Sequence, residues 1–218
     1  MKTPLISILC LLLFTYCSPT EKENEKTLPQ LVADAYGFEN IKDIASITYT
    51  WNVRRDSATV MVRDWSWDLA AEKVYYSGPD TTVTYSIPDK TDALDAIDQR
   101  FINDRYWLLF PFQLGWDTGY THEVVENQTS PIQGIPTTKL IIRYNDADGY
   151  TPGDAYDLYV DDNYMIKEWV FRRGDGPDGR AITWDDIQEF DGIKIHLEHR
   201  NDAGEKAIWF TNVEVKKK

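Results

Sequence analysis

Alternation of apolar and polar side chains with a period of two runs through most of the chain. The clearest stretch is 46–53, in which every second residue is apolar: Ile47, Tyr49, Trp51 and Val53. Successive side chains of a β-strand point to opposite faces of its sheet, so this pattern indicates a strand with one buried and one solvated face. Because similar runs recur along the chain, the fold is predicted to be mainly β.

Short polar connections separate the predicted strands, such as Gly78-Pro79-Asp80 and the turn at 146–149. Strands joined by such short turns are neighbours that pair antiparallel. The sequence therefore predicts an antiparallel meander. Its further strands are predicted at 58–67, 73–77, 82–87, 138–144, 155–160, 164–172, 180–185, 192–199 and 206–215.

Two segments break the β pattern and are predicted to be helices. The first is 28–36, with Thr27 as its N-cap and Gly37 as the left-handed residue that ends it. The second is 91–104, which has an apolar stripe and leads into the aromatic run 106–116. An α+β fold follows, in which one curved antiparallel sheet has its apolar face covered by two helices.

The first residues of the chain have the features of a secretory signal. Lys2 precedes an uncharged, largely apolar run at 5–14, and a polar segment begins after Cys17. The run is shorter than the roughly 20 residues that span a bilayer. Residues 1–16 are therefore predicted to be a signal peptide, 17–27 a flexible tether, and 28–218 a single domain.

Cys17 is the predicted site of lipid attachment. The segment Phe14-Thr15-Tyr16-Cys17 is similar to the lipobox of bacterial lipoproteins, although Tyr16 stands where that pattern has a small residue. Acyl chains on Cys17 would hold the domain at a membrane. We expect a lipoprotein of the cell envelope, at the outer membrane and facing either the periplasm or the surface. Secretion after cleavage at a nearby site is the alternative.

Charge and cysteine content restrict the classes of ligand. The formal net charge of −13 argues against nucleic acid, whose phosphates are bound by clusters of Lys and Arg. Cys10 lies in the predicted signal, so Cys17 is the one cysteine left after cleavage. Neither a disulfide framework nor a cysteine metal site is then expected, and no cofactor is predicted.

The sequence contains no common catalytic motif: no Gly-x-Ser-x-Gly elbow, phosphate-binding glycine loop or His-Glu-x-x-His helix. His196 and His199 are three apart on a predicted strand and should face opposite ways, which favours surface or partly buried histidines over metal ligands. The carboxylate doublets Asp161-Asp162 and Asp185-Asp186 diverge for the same reason. The protein is therefore predicted not to be an enzyme, with a hydrolase as a further alternative.

Aromatic residues are abundant, with eight Trp and thirteen Tyr, many of them in predicted strands. Such side chains either fill a core or line an apolar cavity. If they line a cavity, the candidate ligand-binding residues are Trp51, Trp65, Tyr85, Trp107, Phe110, Phe112, Trp169 and Trp209.

The order of these elements resembles that of the outer-membrane lipoprotein-sorting superfamily, the LolA/LppX-like carriers. The local likeness is strongest at 157–169, where a strand ending in Val160-Asp161 turns into one containing Ile166-Lys167-Glu168-Trp169. The segment 101–112 is also similar to a Bacteroidetes lipoprotein domain family of unassigned function. The resemblance implies an unclosed half-barrel whose concave apolar face is covered by helices and can hold acyl chains.

Two functions remain open from the sequence. The first is non-catalytic binding of a hydrophobic ligand, a lipid or a lipoprotein acyl chain, in the cell envelope. The second is an envelope interaction or scaffold domain with a filled core, which binds a protein or a glycan through surface aromatics such as Trp65 and Trp67. An open apolar cavity would favour the first function and a filled interior the second.

Overall fold

Two antiparallel sheets dominate the computed structural model, which describes residues 25–145 and 151–218. The predicted signal, Cys17 and the turn at 146–149 lie outside the described residues. The helices are α1 (Leu28–Ala35) and α2 (Asp95–Trp116). The strands are β1 (Ile44–Arg54), β2 (Val60–Asp68), β3 (Lys73–Ser77), β4 (Thr82–Ser86), β5 (Tyr120–Thr129), β6 (Pro136–Tyr144), β7 (Ala155–Val160), β8 (Ile166–Arg172), β9 (Arg180–Thr183), β10 (Asp185–Phe190), β11 (Ile193–Arg200) and β12 (Lys206–Lys217).

The strand order shows how the two sheets are connected. One sheet has the order β10-β11-β12-β1-β2-β3-β4, and the other has the order β5-β6-β7-β8-β9. Strand β9 pairs with β8, whereas β10 pairs with β11, and only the buried Trp184 lies between β9 and β10. The chain thus passes from one sheet to the other at Trp184. The mainly β, unclosed α+β architecture is confirmed, but its strands form two sheets where one was predicted.

Strand β1 has the two-faced character that its alternation predicts. Ile47, Tyr49 and Trp51 are buried, and Trp51 lies opposite Phe210 of β12. The rings of Tyr49 and Phe210 are in contact, with centroids 5.8 Å apart. The inner face of β1 is therefore part of the core at the point where the last strand of the chain joins the first.

Two strands have no counterpart in the sequence prediction. Strand β5 is an edge strand that is mostly exposed, so its side chains do not alternate between apolar and polar. Strand β10 is also largely exposed, and only its first residue, Asp185, belongs to a predicted strand. Alternation identifies strands with one buried face, and these two strands have little buried surface.

Helix α1 begins at Leu28, as predicted, and ends at Ala35, one residue before the predicted end. The backbone N–H of Thr27 donates to Oε1 of Gln30 at 2.8 Å, which satisfies one amide that the first turn of the helix leaves unpaired. Gly37 adopts φ +88° directly after the helix, as the prediction of a left-handed stop requires. The chain is tightly packed here, since a Cβ on Gly37 would lie 2.2 Å from the carbonyl oxygen of Gly192.

Helix α2 is longer than predicted, because the aromatic run continues it to Trp116. Leu109 departs from helical geometry (φ −122°, ψ 21°), two residues before Pro111. Proline has no N–H and its ring clashes with the carbonyl of the preceding turn. Pro111 therefore coincides with a break within the helix, and the helix continues beyond it.

Helix α2 covers the inner faces of both sheets. Phe101 contacts Trp65 of β2, with ring centroids 5.4 Å apart, and Phe110 contacts Trp169 of β8 at 5.0 Å. Helix α1 packs against α2. Within residues 25–145 and 151–218, no helix combines the length and apolar character that crossing a membrane requires. The buried side chains of both sheets and both helices form one continuous cluster.

Candidate ligand-binding site

A pocket of about 560 Å³ opens between α2 and the strands β7 and β8, and we name it the α2–β8 pocket. Its volume lies within the roughly 300–1,000 Å³ that is typical of small-molecule sites. Its walls come from α2 (Gln99, Ile102, Asn103, Tyr106, Trp107), β7 (Tyr156), β8 (Trp169, Phe171) and the adjoining loops (Thr151, Asp154, Arg173).

Packed aromatic rings form the deep wall of the pocket. The ring centroids of Trp107 and Trp169 are 4.7 Å apart, and those of Tyr156 and Trp169 are 5.0 Å apart. Phe171 extends this wall, with its ring 5.3 Å from Tyr156. Trp169 and Tyr156 are buried, while Trp107 and Phe171 are half-buried. The deep surface offered to a ligand is therefore mainly apolar.

Residue spacing explains why these side chains meet. Residues three and four apart share one face of a helix, which places Gln99, Asn103 and Trp107 together on α2. Residues two apart share one face of a strand, which places Trp169 and Phe171 together on β8. The pocket is thus the gap between one stripe of α2 and one face of the second sheet.

The outer rim of the pocket is polar. Gln99 and Asn103 are exposed on α2, and Arg173 is exposed just after β8. Asp154 is half-buried, and its Oδ1 accepts a hydrogen bond from the N–H of Gly174 at 2.8 Å. Among the described residues, the guanidinium of Arg173 has no ion-pair partner. The pocket therefore has an apolar interior and a polar mouth, and Arg173 is the unpaired cation at this mouth.

No protein-family model matches the chain. No curated protein matches it either. Among solved structures, a LolA superfamily protein from Nitrosomonas europaea is similar, with a TM-score of 0.49, 8% identity, and coverage of 88% of this chain and 96% of that one. A DUF1329 family protein from Desulfovibrio piger has a TM-score of 0.48, 10% identity, and coverage of 86% and 91%.

Of the eight side chains predicted to bind a ligand, Trp107 and Trp169 line the α2–β8 pocket. Phe110 lies next to them, and its ring contacts both Trp169 and Tyr156. Whether these residues bind a ligand remains a prediction. Four others are buried in the core and do not line this pocket: Trp51, Trp65, Tyr85 and Phe112.

Trp209 lies apart from the other seven predicted ligand-binding residues. It pairs across the sheet with Asn52 of β1 and with Glu198 of β11, whereas the core-facing Phe210 pairs with Trp51. Side chains of paired residues share a face, so Trp209 lies on the outer face of the sheet. The guanidinium of Arg54 lies 5.9 Å from its ring. The expectation that Trp209 faces the interior is wrong.

Two further expectations about side-chain placement are wrong. Trp65 is fully buried and Trp67 packs against the core, so neither is a surface anchor. His196 and His199 are also buried. His199 places Nδ1 3.1 Å from the carbonyl oxygen of Thr183 and Nε2 3.1 Å from that of Trp107. This histidine therefore joins α2 to the junction of the two sheets.

Several wall residues of the pocket were not identified from the sequence. Tyr156 and Phe171 lie in predicted strands. They line the pocket because α2 covers the face of the sheet to which they point, and the sequence does not show which face that is. Ile102 belongs to a helix that was predicted, adjacent to its apolar stripe. No group of three or more His, Cys, Asp or Glu residues is arranged for metal binding within the described part of the chain.

Proposed function

We propose that the protein binds a hydrophobic ligand in the α2–β8 pocket, at the cell envelope and without catalysis. One observation carries the proposal: a pocket of about 560 Å³ whose deep wall consists of Trp107, Tyr156, Trp169 and Phe171. Most of the remaining interior is filled by the protein's own side chains. The pocket is therefore a place where an apolar guest fits without displacing the core.

Burial of apolar area supplies the driving force. Each square ångström removed from water contributes about 25 cal/mol, so a guest that buries about 200 Å² gains about 5 kcal/mol. The aromatic wall is held by ring contacts within the protein, such as those of Trp169 with Trp107 and Trp184. A preformed wall reduces the ordering cost of binding.

The chemistry of the lining supports binding over catalysis. Among the described residues, the pocket has one acidic residue, Asp154, and a carboxylate oxygen of that residue accepts a hydrogen bond from the backbone of Gly174. No His or Cys from residues 25–145 and 151–218 lines the pocket. General acid–base and nucleophilic mechanisms require positioned pairs of such groups.

Attachment of Cys17 to a membrane would keep the pocket at the envelope. As a flexible chain, the predicted tether of eleven residues (17–27) would have a root-mean-square span of about 18 Å, which would allow the domain to face a bilayer or a partner. Metabolic labelling with an alkyne fatty acid in a bacterial host tests this part. We expect label on the natural chain and none on Cys17→Ala. Equal labelling of both, or of neither, would contradict lipid attachment.

Ligand binding is tested by filling the pocket. Native mass spectrometry of residues 25–218 is expected to show co-purifying lipid, and an apolar fluorescent probe should bind and be displaced by it. Ile102→Trp places a large ring in the pocket and should weaken probe binding at least tenfold. Ile187→Trp, on the exposed face of β10, is the matched control and should bind normally. Absence of both lipid and probe binding would reject the proposal.

A second candidate function rests on the outer face of the seven-stranded sheet. Val60 and Val62 are exposed on β2, and Val62 pairs with Asn52, which also pairs with Trp209. Exposed apolar side chains on a solvated face fit an interaction domain with a protein or glycan partner. Capture of a specific envelope partner that Trp209→Ala abolishes, with no ligand in the pocket, would favour this function.

A further inference from the structure

The volume of the α2–β8 pocket limits the size of its ligand. At about 30 Å³ for each non-hydrogen atom, the share of volume that a water molecule occupies in the liquid, 560 Å³ corresponds to about 19 atoms. That number matches one acyl chain with a small headgroup. A diacyl lipid or a triacylated protein anchor is more than twice as large.

The distribution of polarity indicates an amphiphile. The deep wall is made of buried rings, Tyr156 and Trp169, whereas Gln99, Asn103 and Arg173 at the rim are exposed. A ligand that matches both regions places an apolar chain against the rings and a polar group at the mouth. Buried polar atoms without partners are costly, so the polar group should remain near the rim.

Arg173 indicates the charge of that polar group. Two other arginines of the second sheet are paired: Arg172 with Asp157 at 3.0 Å, and Arg143 with Glu123 at 3.1 Å. Arg173 has no such partner among the described residues, although the chain carries a net charge of −13. A guanidinium binds carboxylate or phosphate through two parallel hydrogen bonds. The rim therefore offers an unpaired cation to an anionic headgroup.

Within the described part of the chain, Asp154 is the acidic group that faces the same pocket. Its Oδ1 accepts the N–H of Gly174 at 2.8 Å, which directs this oxygen toward the backbone of the turn that follows Arg173. No ion pair joins Asp154 to Arg173. Arg173 favours an anionic headgroup, whereas Asp154 favours a cationic one. Competition by a cationic amphiphile therefore shows which of the two charges determines binding.

We infer that the ligand of the α2–β8 pocket is a single-chain amphiphile with an anionic headgroup, held by Arg173 at the rim and by the aromatic wall within. This inference rests on the proposed function, since it specifies the ligand of the same pocket. The exposed amides of Gln99 and Asn103 add hydrogen-bond donors for headgroup oxygens.

Competition for an apolar fluorescent probe at pH 8 tests the inference. The competitors share one chain length and differ in their headgroups: tetradecanoate, tetradecanol and tetradecyltrimethylammonium. Vesicles of ditetradecanoyl phosphatidylglycerol supply the two-chain anionic lipid. We expect tetradecanoate to displace the probe at a concentration at least tenfold lower than any other competitor.

Two variants that each remove one arginine test whether Arg173 causes the preference for tetradecanoate. Arg173→Gln should remove the advantage of tetradecanoate while leaving displacement by tetradecanol unchanged. Arg55→Gln, an exposed arginine on the β1–β2 turn outside this pocket, is the matched control and should retain the preference.

The outcomes separate the inference from the proposed function. Equal displacement by tetradecanoate and tetradecanol, or a preference for the ammonium compound, overturns the anionic headgroup and leaves hydrophobic binding intact. Displacement by the two-chain lipid at equal concentration overturns the single-chain assignment. Failure of the probe and of every competitor to bind rejects the proposed function itself.

Discussion

The guanidinium of Arg63 and the carboxylate of Asp104 form two parallel hydrogen bonds in the core, 2.7 Å from Nε and 2.6 Å from Nη2. The indole N–H of Trp65 donates to the same carboxylate at 2.8 Å. Arg63 belongs to β2 and Asp104 to α2, and both are buried. This ion pair attaches the helix that forms one wall of the α2–β8 pocket to the seven-stranded sheet.

Loss of one member of this pair should be strongly destabilising. Arg63→Met leaves the carboxylate of Asp104 buried without its counter-charge, at a cost of about 3–5 kcal/mol in the free energy of unfolding. The double variant Arg63→Met/Asp104→Leu should lose less than the sum of the single losses. Urea unfolding measures all three. Arg100→Met, which breaks the exposed pair with Asp80, is the control and should cost about 1 kcal/mol or less. Equal losses in R63M and R100M would contradict the role of burial.

The two buried histidines predict a loss of stability in acid. Burial lowers the pKa of His199 to about 4 and that of His196 to about 3, from an ordinary value of 6.5. The unfolded chain therefore binds more protons below pH 6.5. Above pH 6.5 both histidines are neutral in the folded and unfolded chains, and their titration takes nothing from the free energy of unfolding. As the pH falls below 6.5, the free energy of unfolding decreases by up to about 1.4 kcal/mol per pH unit for each histidine.

Unfolding free energies at pH 7 and pH 5 test this expectation. His199→Gln removes one of the two titrating groups while retaining a side-chain N–H donor, so the stability of this variant should depend less on pH than that of the natural protein. An unchanged difference between the two pH values would show that His199 is not buried in its neutral form.

A buried carboxylate fastens the connection between β5 and β6. Glu168 accepts hydrogen bonds at 2.7 Å from the hydroxyl of Ser130 and from the backbone N–H groups of Ile132 and Gln133. Glu168→Gln replaces one acceptor oxygen by an N–H group and should cost about 1–3 kcal/mol. Hydrogen exchange of residues 130–135 should become faster in this variant. Unchanged protection of these amides would contradict the contact.

Two glycines with positive φ differ in the space around them, so their substitution distinguishes the cost of backbone strain from the cost of steric overlap. Gly37 (φ +88°) faces the carbonyl oxygen of Gly192, and an added Cβ would lie 2.2 Å from it. Gly204 (φ +76°) has open space around it. Gly204→Ala should therefore cost only the left-handed strain of about 1 kcal/mol, and Gly37→Ala clearly more. Thermal or urea unfolding measures both, and equal losses would contradict the close approach of Gly37 to Gly192.

The sequence predicts those elements that have one buried face or a local end signal. The alternation at 46–53 identifies β1, and Thr27 and Gly37 mark the ends of α1. It did not identify β5, because an exposed edge strand has no apolar face to alternate. It placed the aromatic run outside α2, because Pro111 lies within the helix without ending it.

The position of Trp209 shows why the site was predicted only in part. Residues two apart share a face, so Val215 at the end of β12 would place Trp209 inside. The register with β1 shifts, however, where Thr48 pairs with Glu214 and Thr50 with Thr211, and Asn212 adopts φ +52° there. One extra residue in a strand reverses the faces beyond it. Phe210, not Trp209, therefore faces the core.

Quenching of tryptophan fluorescence by a brominated single-chain fatty acid tests most directly whether an apolar ligand enters the α2–β8 pocket. Bromine quenches an indole that it contacts, and Trp107 and Trp169 line the pocket whereas Trp209 lies on the outer face. We predict saturable quenching that falls in Trp107→Phe and is unchanged in Trp209→Phe. Absence of saturable quenching, or quenching that depends on Trp209 and not on Trp107, would contradict the account.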